Sequence, residues 1–319
     1  MFIIITVVFM LMRASFGDTS ASKAVPPAVN RRYVLLTAAK DEEAHIEDVI
    51  DSVLRQTVLP LAWFIIDDGS SDQTASIVER IAAKHPFIHL QSANSRGGRN
   101  FASKDNAVMA AYGLAEALEF DFVGLVDADQ APGEKYYFET IFEEFDRNPR
   151  LGVASGFVYE RPSGTWQSRS ANATDSVAGS AIFRRSCFDE VGGYIPLHYG
   201  GSDWLIQIDA KMAGWEILTR PDLHILHYRP TSSAGGIWRG KFRNGLEDAS
   251  FGSDPVFEFV KCCRRISSHP VLFGTFVHFC GYLWGKFTAR PLLPPEKVAF
   301  LRKEQRAKLR RRGRAVERP

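Results

Sequence analysis

Phe122-Val-Gly-Leu-Val-Asp-Ala-Asp129 is the stretch that decides the fold. Its apolar run has no polar break, and then two carboxylates follow at alternate positions. An unbroken apolar run reads as a strand buried on both faces, the kind found in parallel sheets covered by helices. In extended backbone, positions i and i+2 face the same way, so Asp127 and Asp129 can converge on one ion. Upstream, the pattern repeats. Trp63–Ile66 is a second buried strand that stops at Asp67-Asp68-Gly69, while Tyr33–Thr37 and Phe87–Leu90 are further strands. Helical spacing of Ile46, Val49, Ile50 and Val53, then Ile77, Val78 and Ile81, then Val108, Ala111 and Leu114, separates them. Asp41 and Asp72 stand where they can cap the first two helices.

Strands alternating with helices imply a parallel sheet covered on both faces. In such sheets a ligand sits outside the carboxyl ends of the strands. The unusual polar residues all lie at those ends. Farther on, Leu151–Tyr159, Gly179–Phe183, Trp215–Leu218 and His224–His227 read as strands and Trp204–Ala213 as a helix.

Two neighbouring carboxylates repel unless a cation joins them. Hard cations such as Mg²⁺ and Mn²⁺ favour oxygen ligands and complete their shells with substrate phosphates. Asp67 or Asp68 could accept from a ribose hydroxyl or a base N–H; the alternative is a tight turn, where Asp-Gly is expected for backbone reasons.

Three motifs then carry a resemblance. Thr37-Ala-Ala-Lys-Asp-Glu-Glu43, Ile65-Ile-Asp-Asp-Gly-Ser-Ser-Asp72 and Val126-Asp-Ala-Asp129 occur in the order and spacing of family 2 glycosyltransferases, over about residues 31–229. The resemblance implies an α/β GT-A fold with a mostly parallel sheet flanked by helices. It also implies an inverting transfer from a nucleoside-diphosphate sugar, with Asp127 and Asp129 as the DxD metal motif for Mg²⁺ or Mn²⁺. By the same likeness Thr37, Ala38, Glu42 and Asp67 or Asp68 line the nucleoside pocket. Many members have Pro and Asn where this chain has Ala38 and Asp41, which leaves the base open.

The acceptor hydroxyl must lose a proton as it attacks, and a positioned carboxylate supplies roughly 10²–10⁴-fold. The family position matches Gly200-Gly-Ser-Asp-Trp204 and makes Asp203 the candidate base, with Ser202 replacing the usual preceding acid. Asp203 could instead be a helix N-cap. His227 ends an apolar strand where related enzymes place a late metal or diphosphate ligand, against the alternative of a core histidine. Arg229 could balance diphosphate charge, and Lys104 could reach the donor; a surface salt bridge and a solvated lysine are the alternatives. The Arg96–Arg99 loop lacks P-loop spacing and no GxGxxG follows the first strand. Thr231–Gly240, with Trp238, reads as a flap or an ordinary loop.

The 319 residues are 45% hydrophobic and 24% charged with a formal net charge of +2, enough for a full core. Cys187, Cys262, Cys263 and Cys280 show neither zinc nor disulfide spacing. The reading divides the chain into an apolar or flexible segment over 1–30, a catalytic domain over 31–255 and a C-terminal amphipathic helical extension over 256–319. Residues 270–287 suit an interfacial helix better than a span, and the Arg- and Lys-dense tail from Arg302 to Arg318 reads as either a lipid-attracted or a loosely ordered segment. The expectation is a cytoplasmic protein, peripheral on the inner face of the membrane. Its partners would be a nucleoside-diphosphate sugar, a glycan or lipid-linked acceptor and an anionic surface, with no nucleic acid; oligomeric state is left open. A nucleotidyltransferase and an inactive membrane-bound scaffold are the rival readings.

Overall fold

In the computed structural model the alternation becomes a nine-stranded sheet with helices on both faces. The structure describes residues 31–93, 101–161, 164–169, 172–197, 200–229, 236–265, 273–288 and 291–316. The Arg96–Arg99 loop, residues 231–235 and segment 1–30 lie outside them.

Strands β1 (Tyr33–Ala39), β2 (Ala62–Asp67), β3 (Ile88–Ser92) and β4 (Phe122–Leu125) pair in parallel in the order β3-β2-β1-β4. The sheet continues through β8 (Ala181–Arg184), β6 (Leu151–Glu160), β9 (Glu216–His227) and β5 (Gln130–Pro132), with β7 (Gln167–Ser168) against β6. Because side chains alternate along a strand, β1 and β2 feed two cores at once. Tyr33, Leu35, Trp63 and Ile65 pack on one face with helices α1 (Ile46–Leu54) and α2 (Thr74–Ala82). Val34, Leu36, Phe64 and Ile66 pack on the other with α3 (Phe101–Ala115). Helix α4 (Tyr137–Arg147) joins the first core, and α5 (Arg185–Val191) and α6 (Ser202–Met212) the second.

Two capping expectations need correction. His45, not Asp41, occupies the N-cap of α1. Asp41 has φ 52° and its carboxylate accepts from the Ser71 amide, so it ties the loop after β1 to the loop after β2. Asp72 sits one residue ahead of the cap position of α2 and accepts from the Thr74 amide.

Helices α7 (Ile237–Ser250), α8 (Pro255–Arg264), α9 (Phe273–Thr288) and α10 (Pro295–Val316) follow. Trp238 therefore lies in the first turn of a helix, and the first part of the expected flap lies outside the described residues. The basic tail is helical as far as Val316. Leu293, Val298 and Leu301 pack on Leu205 and Ile208 of α6. Arg302 donates to the Gly252 carbonyl, Arg306 pairs with Asp254 and Lys308 with Asp175. Two ion pairs thus engage part of that positive charge. From Arg31 onward the chain is one unit, and the helices after residue 255 pack against those before it.

Helices α7 and α9 cross at backbone contact. A Cβ on Gly281 would lie 2.2 Å from the Phe242 carbonyl oxygen, and one on Gly245 2.0 Å from that of His278. Overpacking costs about 1–3 kcal/mol where side chains can shift, and here the obstacle is backbone. Gly281→Val is expected to lower stability by at least about 2 kcal/mol in urea denaturation, while Gly113→Ala, with nothing within 4 Å, stays near wild type.

Candidate active site at the carboxyl edge of the sheet

The carboxyl ends of β2, β1 and β4 open on one edge, and the first turn of α3 lies across it. Three successive side chains of that turn reach three different elements. Ser103 hydrogen-bonds the Asp68 carboxylate at the end of β2. Lys104 Nζ is 2.7 Å from Asp127 Oδ1 beyond β4. Asp105 accepts from the Ser202 hydroxyl at 2.7 Å, on the first turn of α6 that also carries Asp203. Burial and the Asp203 charge push Asp105 up to about 6, against the Ser202 bond and the Lys104 charge. The spacing of strands puts the ends of β2 and β4, with β1 between them, about 9–10 Å apart.

Lys104 is the electrostatic centre. Burial works against its charge, yet Asp127, Asp203 and Asp129 outweigh burial and hold the ammonium protonated. Asp203 is raised above the usual carboxylate range by burial and by Asp127, against the opposing pull of Lys104, the Tyr194 hydroxyl bond and Arg169. Its half-buried carboxylate makes no cap bond; Gly201, at φ 91°, holds the N-cap of α6. The cap alternative for Asp203 is thereby set aside, and Tyr194 and Lys104 are the groups that address it.

Asp127 is held from its other side. Gln130 Nε2 donates to Asp127 Oδ2 at 3.0 Å, and the Asp127 amide donates to Ser180 Oγ. Gln130 Oε1 accepts from both the amide and the hydroxyl of Ser180. This arrangement needs Gly179, which has φ 78° and would put a Cβ 2.3 Å from Gln130 Oε1.

Asp129 and His227 meet because β5 and β9 pair, with Gln130 opposite His227 and the Tyr228 amide donating to the Asp129 carbonyl. His227 Nε2 is 3.5 Å from Asp129 Oδ2, and its Nδ1 is 3.3 Å from Glu160 Oε1. Burial opposes the imidazolium, but Asp129 and Glu160 raise it to about 9. Burial likewise opposes charge on Asp129, and His227, Lys104 and Arg229 still hold it below the ordinary value.

The remaining expected site residues are more internally committed. Thr37 is buried, donates to the Val126 carbonyl and accepts from Trp63 Nε1. Ala38 lies at the part-buried end of β1 opposite Ile66. Glu42 and Arg229, read separately from sequence, pair with each other at 2.6 Å, with Glu42 1% exposed. Both oxygens of Asp67 accept from the Ser70 amide, so this residue closes its own turn, and Asp68 is the one that faces α3. Sequence reasoning missed Asp105, Gln130, Ser180, Tyr194, Glu160 and Arg169. Gln130 alone had a local signal, its place directly after the Asp-x-Asp.

A second group of possible ligands, Asp248, Glu258 and His278, comes within 4.8 Å in the C-terminal helices. There Lys261 Nζ stands 2.7 Å from both carboxylates and already supplies a cation.

The family model for Glycosyl transferase family 2 matches residues 35–201, more than half of the chain. The chain belongs to glycosyl transferase family 2. It is 34% identical over 229 residues to the poly-beta-1,6-N-acetyl-D-glucosamine synthase of Staphylococcus aureus (strain COL), covering 65% of this chain and 52% of that protein. The chain thus spans about half the length of the curated relatives it matches. The Staphylococcus epidermidis synthase is 31% identical over 121 residues, covering 38% and 27% of the two chains. Among solved structures, a mannosyltransferase from Pyrobaculum calidifontis in complex with GDP-Man and Mn²⁺ aligns with TM-score 0.53 at 18% identity, covering 89% of this chain and 80% of that one. S. aureus TarS 1-349 in complex with UDP-GlcNAc aligns with TM-score 0.50 at 14% identity, covering 85% and 78%. The likeness at this level is one of fold, and the fold is the GT-A type expected from the motifs.

The Asp129–His227 pair carries a pH signature. The histidine, raised from 6.5 to about 9, contributes stability fully present below pH 6.5 and lost as pH rises through 9. The aspartate, depressed from 3.8, contributes stability present above that value and lost as pH falls through its lower folded value. In EDTA, urea midpoints should therefore decline between pH 6.5 and 9 in the wild type. His227→Gln should flatten that limb; an unchanged slope in the variant would show that the pair is not coupled to folding.

Proposed function

We propose that this protein transfers a sugar, with inversion, from a nucleoside-diphosphate sugar to a hydroxyl of a growing cell-surface polysaccharide. The convergence of Asp127, Asp129 and Asp203 around Lys104 carries this reading. One face of that constellation offers oxygen ligands and an imidazole, and the other a carboxylate with a raised proton affinity. The names of the Staphylococcus synthases support N-acetylglucosamine as the sugar.

Asp127, Asp129 and His227 would hold a hard divalent cation through two carboxylates and one nitrogen, once the ion displaces Lys104 from Asp127 and the proton from His227. When bound, Mg²⁺ or Mn²⁺ would supply Lewis-acid stabilisation of the departing diphosphate. Gln130 and Ser180 orient Asp127, and Lys104 adds a fixed positive charge next to the leaving group. Asp68, about 9–10 Å across the edge, is placed for the nucleoside. Asp203 takes the proton of the attacking hydroxyl; its raised pKa makes it a stronger base than an exposed aspartate.

Asp129→Ala is expected to abolish turnover of UDP-N-acetylglucosamine with Mn²⁺ while leaving the circular-dichroism spectrum unchanged. Asp203→Asn should lower turnover roughly 10²–10⁴-fold with donor binding retained. Release of diphosphate from a nucleoside triphosphate would favour the nucleotidyltransferase rival instead. Wild-type turnover by the Asp129 variant would remove the cation from the mechanism.

The same reading seats the protein on the cytoplasmic face of a membrane. No helix among the described residues is long and apolar enough to cross one. Helix α9 instead leaves Phe273, Phe276, Trp284 and Phe287 exposed, beside Val256 and Phe259 of α8. Exposed aromatic faces of this kind suit the headgroup boundary. Phe276→Ser with Trp284→Ser should lower co-sedimentation with anionic vesicles by tenfold or more, about 1.4 kcal/mol. Unchanged sedimentation would remove membrane docking without touching the transferase reading.

A further inference from the structure

Between α7, α8 and α9 lies an open cleft of about 40 Å³, lined by Lys241 and Asn244, by Lys261 and Arg265, and by Thr275 and His278. Two of its cations, Lys241 and Arg265, make no side-chain hydrogen bond or ion pair with any described residue. Lys261 is different, because Asp248 and Glu258 engage it. Burial lowers the pKa of Lys241, and the charges of Arg265 and Arg169 lower it further, with only Glu160 opposing. Burial and Arg265 depress Arg169, against Glu160, Asp203 and Glu247. Half-buried like charges that form no pair with a described residue are costly, and most proteins pair them. A cleft that keeps them is prepared for an anion.

The surroundings say which anion. Gly274 and Thr275 line the cleft from the first turn of α9, and their chain neighbours Phe273 and Phe276 are 69% and 66% exposed. Phe259, on α8, is 57% exposed. A guanidinium and an ammonium meet a phosphate well, the first through paired N–H donors and the second as a point charge. The room is several times what one water needs. A free phosphate would use the cations and leave the aromatic surround without a role; an amphiphile uses both.

We propose that this cleft binds the phosphate headgroup of a membrane lipid, held by Lys241 and Arg265, with the acyl chains against Phe259, Phe273 and Phe276. The inference rests on the membrane association argued above and adds a specific lipid site to it. The site also lies on the sugar-transfer side of the molecule, since Arg169 is in electrostatic reach of both Asp203 and Arg265. Lipid in the cleft would hold the enzyme with its acceptor side near the bilayer.

The test uses the full chain and a short-chain lipid below its micelle concentration, so that no charged surface is present. Calorimetric titration with dihexanoyl phosphatidylglycerol should give saturable binding at one site. Lys241→Gln with Arg265→Gln should weaken it tenfold or more. Lys303→Gln with Arg310→Gln removes the same charge from exposed positions of α10 and should change it less than about twofold. Inorganic phosphate, titrated at matched ionic strength, should bind at least tenfold more weakly than the lipid. Equal binding by the Lys241/Arg265 variant, or by inorganic phosphate, overturns the proposal. Relief of like-charge repulsion predicts that the variant melts no lower than wild type; if it does, Arg265→Lys, which keeps the charge but loses the paired donors, must still weaken binding for the site to stand. Absence of vesicle binding by the wild type is a failure of the membrane reading, whereas the short-chain titration reports on the cleft alone.

Discussion

Carboxylates cannot share a small volume without a counter-charge, and this site gathers three. Lys104 meets that constraint. Its ammonium contacts Asp127 and lies within reach of Asp129 and Asp203, so the edge of the sheet is balanced before any substrate arrives. The position of Lys104 depends on the first turn of α3, which Ser103 fastens to β2 and Asp105 to α6. One helical turn therefore sets the distances among Asp68, Asp127 and Asp203. The two-faced core beneath it, with Trp63 and Leu35 on one side and Phe64 and Leu36 on the other, keeps the strand ends level.

The parallel half of the sheet was legible because hydrophobic runs and abrupt carboxylates are local signals. Tyr33, Trp63 and Phe122 each open a strand whose end carries a motif. The second half was less so. The three-residue strand Gln130–Pro132 is too short to show periodicity, yet it brings His227 to Asp129. Tyr194 and Arg169 come from irregular segments whose placement only the tertiary fold determines. Glu42 and Arg229, each read as a donor ligand, proved to be partners across 187 positions of sequence. Composition suggested that the C-terminal basic residues were either free or lipid-bound, and it could not foresee Asp254 and Asp175 as their partners.

The C-terminal helices divide their charges by role. Arg302, Arg306 and Lys308 fasten α10 to the body of the protein. Lys261 neutralises a buried acidic pair, while the close crossing at Gly245 and Gly281 locks α7 to α9. The aromatic side chains of α8 and α9 are left outward. Packing thus accounts for one face of this region and leaves the opposite face for whatever the protein meets.

The ladder between β5 and β9 has a further consequence for how this chain can vary. Side chains on a strand alternate between faces, so gaining or losing one residue in the stretch Ile225–His227 that pairs with β5 would swing the imidazole of His227 to the far side of the sheet. Tolerated changes in length must then fall outside that stretch, in the irregularity of β9 at residues 221–223 or in the connections that precede Glu216 or follow Arg229. Variation in length is channelled into those segments, while the interval that aligns the second aspartate with its histidine stays metrically frozen.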